Sequence, residues 1–288
     1  MSAGDARMTD GRRGFLASRE LWLRIASAAV LVPVAVAAAV SGGPAFAVLV
    51  GLVGAVTAVE WASVTGADGG RRFDAATLVV AAAVFVAALW ATLGDPAVAF
   101  ALVAAAAVLA AAIGSRPAGR PLAAAGALYA GVPSVVLVAL RDGPAGLWVV
   151  LFVFVVVWVT DIAAYVGGRS IGGPKLWPAV SPKKTWSGSL SGLAGGVLAG
   201  LAVAAAADVP LSTATAVLAA GLSIVSQAGD LAESALKRHF GRKDSGRLIP
   251  GHGGVMDRVD GLLAAVVLAG LAALTDIAAP ASLLGGAP

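Results

Sequence analysis

The sequence predicts an all-α protein, a polytopic bundle of about nine transmembrane helices. Its residues are 59% hydrophobic and only 12% charged, and its mean hydropathy is +0.91. Soluble domains are roughly half apolar and about a quarter charged, so most of this chain is expected to lie in lipid. Apolar runs of about 20 residues, the length that a helix needs to cross a bilayer, recur along the chain. Short breaks of Gly, Pro and charged residues separate these runs.

The apolar runs set the order and limits of nine predicted spans. They cover residues 21–40, 44–64, 75–93, 96–113, 121–140, 146–167, 188–207, 211–232 and 258–278. We divide the chain into a basic tail (1–20), an amino-terminal scaffold of five spans (21–145), a region with four spans and two long loops (146–280) and a short tail (281–288). The first run begins near Leu21 and is too long for a signal peptide, so we expect it to remain as a span.

Composition also excludes some kinds of site and partner. The chain has no cysteine, so disulfides and cysteine-ligated metals are excluded, and any metal must bind oxygen or histidine. The net charge of +4 and the pI near 9.8 would suit a nucleic-acid partner. In a membrane protein, however, basic residues mainly set the orientation of the spans. We therefore expect this chain to contact membrane lipids and no nucleic acid.

The distribution of basic residues predicts the side of the membrane that each loop faces. When the loops are numbered alternately, one side collects every lysine and arginine except Arg141. This side includes the amino-terminal tail and the two long loops, at 168–187 and 233–257. Because cytoplasmic loops carry an excess of Lys and Arg, we expect these segments in the cytoplasm and the carboxyl terminus outside.

The first five spans are rich in Ala and Val and carry almost no ionisable residues. Small residues allow helices to pack closely in membranes, so we expect these spans to form a scaffold. Glu60 is the exception, and because it lies near the end of its span we expect its carboxylate to snorkel to water. No internal repeat is evident in the sequence, which disfavours a transporter built from inverted repeats.

Ionisable residues interrupt the apolar spans in the second half of the chain. Asp161 and Asp230 lie within apolar runs, where an unpaired charge would be costly. On the eighth span, Asp230, Ser234 and Lys237 are spaced i, i+4, i+7 and share one helix face, which could hold a metal ion and a phosphate. Asp161 lies one turn before Tyr165, near the cytoplasmic end of the sixth span. A structural Asp161, bonded to a neighbouring helix, is the alternative.

The segment between the eighth and ninth spans is first basic and then rich in glycine. Residues 237–247 are dense in Lys and Arg, although attraction to anionic lipid and the orientation rule would explain them alone. Residues 250–254 read Pro-Gly-His-Gly-Gly, and such glycines let the backbone approach a bound phosphate closely. Asp257 and Asp260 project from the start of the ninth helix. Together with Asp230 they make a hard-oxygen site suited to Mg²⁺.

The earlier long loop contains a second cluster of cations and hydroxyls. Residues 181–188 read Ser-Pro-Lys-Lys-Thr-Trp-Ser-Gly and lead directly into the seventh span. Lys183, Lys184 and Thr185 lie near the amino terminus of a helix and are suited to bind an anion. An exposed, positively charged turn is the alternative interpretation. We expect the two tryptophans beside these residues, Trp177 and Trp186, to be interfacial anchors.

Together these motifs resemble those of a known family, the phosphatidate cytidylyltransferases or CDP-diacylglycerol synthases. One long run is similar to the defining motif of that family and reads Ser234-x-x-Lys237-Arg238-x₄-Lys243-Asp244-x₅-Pro250-Gly251-His252-Gly253-Gly254-x-x-Asp257-Arg258-x-Asp260. Three shorter segments are also similar to it: Asp161-x-x-Ala164-Tyr165-x-x-Gly168, Ser181-Pro182-Lys183-Lys184-Thr185 and Gly229-Asp230-x-x-Glu233-Ser234. The resemblance covers residues 161–260. Family members commonly carry Glu where this chain has Ser187, so a role for that carboxylate is in doubt here.

The resemblance implies a reaction, its substrates and its place in the cell. Phosphatidic acid would attack CTP and release pyrophosphate, at a site that opens to the cytoplasm and the inner leaflet. Region 146–280 would then be the catalytic region of an enzyme in a bacterial-type inner membrane. Because such transfer depends on positioning and charge neutralisation, Mg²⁺ is the expected cofactor, with room for a second cation. A homodimer is also implied by the resemblance.

The resemblance further implies roles for individual residues. The expected metal ligands are Asp230, Asp257 and Asp260, with Asp161 completing the shell, and Ser234 and Lys237 join the first three as catalytic residues. The expected substrate-binding residues are Lys183, Lys184, Thr185, Arg238, Lys243, His252, Gly253, Gly254 and Arg258. We expect His252 to contact phosphate or support the structure rather than transfer a proton, because a phosphate monoester is already anionic near neutral pH. His239 is expected to lie in a solvated loop.

Two other functions fit parts of the pattern. An ion-coupled transporter would use Asp161 and Asp230 to bind a cation at bilayer depth. The candidate ligands instead lie toward one end of their spans, beside cations suited to phosphates. A CTP-dependent transferase or kinase acting on an isoprenoid lipid would use the same residues, because surfaces of Ala, Val and Leu contact any lipid tail.

Overall fold

The computed structural model describes residues 19–68, 74–114, 117–246, 248 and 253–274. Several sequence predictions fall outside these residues, namely most of the two tails, Arg71, Arg72, Arg116, Arg247 and His252. The expected contact between His252 and phosphate therefore stays a prediction.

Nine α-helices occur in the described residues, and each overlaps one of the nine predicted spans. They are α1 (Arg19–Ser41), α2 (Gly43–Thr65), α3 (Ala75–Leu93), α4 (Pro96–Ile113), α5 (Arg120–Asp142), α6 (Gly146–Ile171), α7 (Trp186–Ala206), α8 (Thr213–His239) and α9 (Met256–Ala273). Helices α2 to α8 are long and apolar enough to cross a membrane. The apolar stretch of α1, Ala29–Ser41, is shorter, and three of the first five residues of α9 are charged. The chain is therefore an all-α integral membrane protein, while the count of nine spans stays a prediction.

A short hairpin precedes α7, where the sequence predicted only a loop. It consists of β1 (Lys175–Trp177) and β2 (Ser181–Thr185), which pair in antiparallel fashion. Strands of three and five residues are too short to produce a recognisable alternation of apolar and polar residues. Because of this pairing, Lys183 and Lys184 lie on an ordered strand beside the start of α7 rather than on a free turn.

Helices α6 and α8 continue past their predicted limits. Helix α6 ends at Ile171 instead of 167, and α8 ends at His239 instead of 232. Hydropathy marks only the apolar part of a helix, whereas backbone hydrogen bonding extends into its polar end. The last turn of α8 holds Lys237, Arg238 and His239, cations that interact favourably with the helix dipole. The basic cluster that was predicted for a loop is therefore partly helical.

Helices α6 and α7 approach each other closely because one face of α7 consists of glycines. The buried glycines of α7 are spaced four residues apart, at Gly188, Gly192, Gly196 and Gly200. A Cβ atom at Gly188 would lie 2.7 Å from the carbonyl oxygen of Ala164, and one at Gly192 would lie 2.9 Å from that of Thr160. Small residues at this spacing allow two helix backbones to meet. The contact holds the polar end of α6 beside the hairpin.

The scaffold helices share an apolar core with the carboxyl-terminal helices. One cluster of buried residues extends from Phe46 in α2 through Val138 in α5 and Val153 in α6 to Val266 in α9. A second cluster, made mainly of alanines, lies between α2, α3, α4 and α5. The two halves of the chain are thus packed into one bundle rather than into separate domains.

Arg141 joins two helix ends that the sequence assigns to the same side of the membrane. It lies in the last turn of α5 and donates hydrogen bonds to the carbonyl oxygens of Ala39 and Val40, near the end of α1. This contact agrees with the alternating arrangement of the spans. It does not identify which side is the cytoplasm.

Candidate functional site

The polar residues of the carboxyl-terminal half surround a cavity of about 670 Å³. Its walls come from α6, the hairpin, the start of α7, α8 and α9. The sequence-predicted site residues that line it are Asp161, Lys183, Lys184, Thr185, Asp230, Lys237, Asp257, Arg258 and Asp260. The structure thus brings cations from both predicted clusters to one place, together with all four predicted carboxylates.

The crossing of α8 and α9 places two of these carboxylates side by side. The helices meet at Gly229 and Gly261, where a Cβ atom on Gly229 would lie 3.1 Å from the carbonyl oxygen of Asp260. A Cβ atom on Gly261 would lie 2.9 Å from the carbonyl oxygen of Ser226. Asp230 follows the first glycine and Asp260 precedes the second. A larger residue at either glycine would separate the helices and with them the two carboxylates.

The start of α7 is fixed by hydroxyl groups. Thr185 is only 5% exposed, and its Oγ1 accepts the backbone N–H of Gly188 at 3.1 Å, which caps α7. Ser187 Oγ lies 3.0 Å from Thr185 Oγ1 and also donates to the carbonyl oxygen of Gly172, at the end of α6. The Ser187 hydroxyl, which stands where the resembling family commonly has Glu, therefore has a structural role here. The predicted contact between Thr185 and substrate stays a prediction.

Lys184 and Asp230 form an ion pair at the wall of the cavity. Lys184 Nζ lies 2.5 Å from Asp230 Oδ2, and Ser234 Oγ donates to Asp230 Oδ1 at 3.4 Å. The side chains of Lys184 and Asp230 are 30% and 31% exposed. Partly solvated ion pairs contribute little net stability, so this pair can open at low cost when another anion or cation enters.

Lys237 lies between two carboxylates and is much less accessible. Its Nζ lies 2.5 Å from Glu233 Oε2 and 2.6 Å from Asp257 Oδ1, and all three side chains are at most 10% exposed. Asp257 also accepts the backbone N–H groups of Ser245, at 3.0 Å, and Gly254, at 2.8 Å. Because its oxygens already have these partners, Asp257 has little capacity left for a metal ion in this arrangement.

The predicted metal ligands line the same cavity but do not form a finished metal site. Within the described parts of the chain, no three His, Asp or Glu side chains are close enough to hold one ion. Asp161, Asp230 and Asp260 come from three different helices and line the same cavity. Asp260 forms no ion pair with any described residue, and its Oδ1 accepts only the N–H of Gly261, at 2.7 Å. Clustered carboxylates of this kind supply the hard-oxygen ligands that Mg²⁺ prefers.

Some described residues of the predicted site lie outside the lining of the cavity. They are Ser234, Arg238, Lys243, Gly253 and Gly254. Arg238 donates to the carbonyl oxygen of Arg242 at 3.2 Å, which closes the end of α8, and Lys243 is exposed. Gly253 has a φ of 83°, and a Cβ atom there would lie 2.5 Å from Asp257 Oδ2. These residues shape the polypeptide around the cavity, and their expected contacts with substrate stay predictions.

The interpretation of Glu60 as a snorkelling residue is wrong. Its side chain is buried at 7% exposure and accepts hydrogen bonds from Ser245 Oγ and from the backbone N–H groups of Val255 and Met256. Hydropathy shows that a carboxylate lies near the end of a span. It cannot show whether water or a distant segment of the same chain satisfies that carboxylate.

Further polar contacts between helices were missed by sequence reasoning. Ser189 Oγ donates to Gln227 Oε1 at 2.7 Å at the cavity wall, and Thr160 Oγ1 donates to Ser223 Oγ at 2.9 Å below it. The signal in the sequence was weak, since single polar residues in apolar helices often bond their own backbone. Glu233 had a clearer signal, because its spacing of four residues from Lys237 predicts a helical ion pair.

Comparison with known proteins identifies the family of this chain. The sequence profile described as the cytidylyltransferase family matches residues 22–275. The phosphatidate cytidylyltransferase of Brucella suis biovar 1 is 58% identical over 151 residues, which are 52% of this chain and 56% of that protein. The phosphatidate cytidylyltransferase of Staphylococcus saprophyticus is 43% identical over 136 residues, which are 47% of this chain and 52% of that protein.

The matched segment spans about half the length of these relatives. The family profile, in contrast, extends from the first apolar helix to the last. The chain therefore belongs to the cytidylyltransferase family.

Proposed function

We propose that this protein transfers the cytidylyl group of CTP to phosphatidic acid and so forms CDP-diacylglycerol and pyrophosphate. The observation that carries the proposal is the shared cavity, in which carboxylates of α6, α8 and α9 lie beside the lysines of the hairpin. The names of the relatives support phosphatidic acid as the acceptor. The apolar helices around the cavity suit an acceptor that stays in the membrane.

The proposed reaction exchanges one phosphoanhydride bond for another. A phosphate oxygen of phosphatidic acid bonds to the α-phosphorus of CTP, and the bond from this phosphorus to the bridging oxygen of the β-phosphate breaks. Pyrophosphate leaves with that oxygen. The acceptor is already anionic, so the protein needs to position two negatively charged substrates and to offset their charge rather than supply a strong base.

Lysines and an arginine at the cavity are suited to offset that charge. Lys183, Lys184 and Arg258 line it, and Lys184 can leave Asp230 for a phosphate because their ion pair is partly solvated. Lys237 is held between Glu233 and Asp257, so we assign it to the framework of the site. This assignment departs from the expectation that Lys237 contacts phosphate directly.

Magnesium is proposed as the cofactor. Asp161, Asp230 and Asp260 would hold it after drawing closer together, since these carboxylates line the cavity and Asp257 is engaged by Lys237. When bound, Mg²⁺ would offset charge on the triphosphate. A second cation, a homodimer, a cytoplasmic opening of the cavity and residence in a bacterial-type inner membrane are further parts of the proposal, supported by the resemblance and by the distribution of basic residues.

The position of a label in CTP distinguishes the proposed transfer from the kinase alternative. Purified protein in detergent would be given Mg²⁺, phosphatidic acid and CTP labelled at either the α- or the γ-phosphate. Cytidylyl transfer moves the α label into lipid and releases the γ label as pyrophosphate, whereas a kinase moves the γ label into lipid. A polyprenyl phosphate in parallel reactions tests the isoprenoid acceptor. Absence of α-labelled lipid with phosphatidic acid would refute the proposal.

A further inference from the structure

We infer that Glu60, in the amino-terminal scaffold, is a positioning residue for the catalytic cavity. Its carboxylate holds both ends of the segment that precedes α9 and thereby sets the places of Asp257 and Asp260. The inference rests on the proposed function for its catalytic meaning. The contacts that carry it do not depend on the identity of the substrates.

The Glu60 carboxylate binds donors that lie far away in the sequence. Oε2 accepts Ser245 Oγ at 3.0 Å and the N–H of Met256 at 2.7 Å, and Oε1 accepts the N–H of Val255 at 3.1 Å. The donors are separated from Glu60 by 185 to 196 positions. Glu60 therefore fastens the catalytic half of the chain to the end of α2.

Glu60 supplies the helix cap that α9 does not provide for itself. Val255 stands at the N-cap position of α9 and offers no side-chain hydrogen bond. The first N–H groups of a helix need acceptors, and a negative charge at this end interacts favourably with the helix dipole. Glu60 meets both needs from another helix. More commonly, an Asp or Ser at the N-cap position of the helix itself accepts these hydrogen bonds.

The Glu60 carboxylate leaves no room for a side chain at two glycines near the start of α9. A Cβ atom on Gly246 would lie 2.6 Å from Glu60 Oε1, and one on Gly254 would also lie 2.6 Å from that atom. The sequence suggested that such glycines admit a bound phosphate. For Gly246 the nearest neighbour is instead the Glu60 side chain, and for Gly254 it is the Ser245 hydroxyl, followed by the Glu60 carboxylate.

A short path of contacts leads from Glu60 to the cavity. Ser245 bonds Glu60 through its hydroxyl and bonds Asp257 through its backbone N–H. Met256, whose N–H is held by Glu60, immediately precedes Asp257 in the first turn of α9, and Asp260 follows Asp257 three residues later in the same helix. A change at Glu60 therefore moves the cavity's carboxylates without touching substrate.

The test compares Glu60→Gln with Thr57→Val. Glutamine keeps the size but turns one acceptor into a donor that faces backbone N–H groups. Thr57 is a matched control, because it is fully buried one turn away on α2 and donates only to Val53 of its own helix. The readouts are kcat for CDP-lipid, the Mg²⁺ concentration for half-maximal rate, Tm in detergent, and hydrogen exchange of peptides spanning 240–260 without substrate or metal.

For Glu60→Gln we expect kcat to fall by between about ten- and a hundredfold, the effect of a slight misplacement of catalytic groups. The required Mg²⁺ concentration should rise and exchange near 255–256 should become faster, while Thr57→Val leaves all three unchanged. The inference would be overturned if Glu60→Gln had the same kcat, Mg²⁺ requirement and hydrogen exchange as the wild type. If the wild type forms no CDP-lipid, the proposed function fails, and the exchange comparison still decides whether Glu60 holds α9.

Ser245→Ala gives a milder version of the same test, should Glu60→Gln fail to fold. It removes one of the three hydrogen bonds to Glu60 and keeps the buried charge. We expect the same direction of change in kcat, Mg²⁺ requirement and exchange, at a few-fold size consistent with one hydrogen bond of about 1 kcal/mol. A Ser245→Ala protein that matches the wild type in all of these would contradict the inference.

Discussion

The scaffold helices, α1 to α5, and the helices that line the cavity, α6 to α9, form hydrogen bonds with their polar side chains in different ways. In α2 and α5, the hydroxyls of Thr57, Thr65 and Ser134 donate to carbonyl oxygens one turn earlier in the same helix. In α6 to α9, several buried polar groups bond to another helix, as Thr160 does with Ser223 and Ser189 with Gln227, while Ser226 bonds its own helix. Two ion pairs likewise join separate elements, the hairpin to α8 and α8 to α9, while Glu233 and Lys237 pair within α8.

This difference shows where the relative positions of the helices must be fixed accurately. A hydroxyl that bonds its own helix places no demand on the neighbouring helix, so the scaffold is held mainly by the packing of small apolar side chains. A bond between helices fixes their relative position, which the proposed binding of two anionic substrates in the cavity needs. Two neighbouring scaffold residues also bond to distant segments: Glu60, through its carboxylate, and Trp61, whose Nε1 donates to the carbonyl oxygen of Leu122 in α5.

The largest expected loss of stability comes from breaking the Lys237 network. Lys237→Met keeps the length of the side chain but leaves the Glu233 and Asp257 carboxylates buried without their cation. Breaking a buried ion pair costs about 3–5 kcal/mol, so Tm in detergent should fall strongly. The exposed Lys243→Met is the control and should retain the wild-type Tm. Equal melting of the two variants would show that the catalytic half does not depend on this network.

A smaller effect is expected from a single methyl group at the crossing of α8 and α9. In Gly261→Ala the new Cβ meets the backbone oxygen of Ser226 at 2.9 Å, which can move only with its helix. In Gly221→Ala, at the same interface, the new Cβ instead meets the end of the flexible Leu268 side chain at 3.3 Å. We expect turnover to fall about tenfold in the first variant and to stay within about twofold in the second. Equal turnover would contradict the view that this crossing sets the carboxylates.

The smallest effect compares two buried serines. Ser134→Ala removes a bond within α5, and Ser223→Ala leaves Thr160 without its partner on α8. For Ser134→Ala we expect the free energy of unfolding to fall by about 1 kcal/mol or less. For Ser223→Ala we expect a fall of about 1–3 kcal/mol, because the buried hydroxyl of Thr160 loses its acceptor. Urea-induced unfolding in mixed micelles measures both. A larger loss at Ser134 would reverse the proposed contrast between the halves.

Sequence reasoning recovered the bundle more completely than the site. Each predicted span coincides with a helix, because a run of apolar residues long enough to cross a bilayer has few alternatives to helix. The four predicted carboxylates also meet at one cavity, as the clustering of Asp230, Asp257 and Asp260 predicted. These features are local in the sequence, and periodicity or spacing suffices to detect them.

Contacts between distant segments were not accessible to the same reasoning. The sequence shows Glu60 nearly two hundred positions before its partners, Val255 and Met256, and nothing in the spacing connects them. Likewise, it shows three acidic residues suited to a metal but not that Lys237 engages Asp257. Helix packing decides which carboxylates stay free, and this packing depends on glycines whose effect appears only in three dimensions.

A change of metal preference tests most directly whether Asp230 is a ligand of the proposed Mg²⁺ in the cavity. The chain has no cysteine, so Asp230→Cys introduces the only thiol, a soft ligand that favours Cd²⁺ over Mg²⁺. We predict that Asp230→Cys forms almost no CDP-lipid with Mg²⁺ and regains turnover with Cd²⁺. Asp95→Cys, at the exposed start of α4, should behave like the wild type with both ions. Full Mg²⁺-supported turnover in Asp230→Cys would contradict the account.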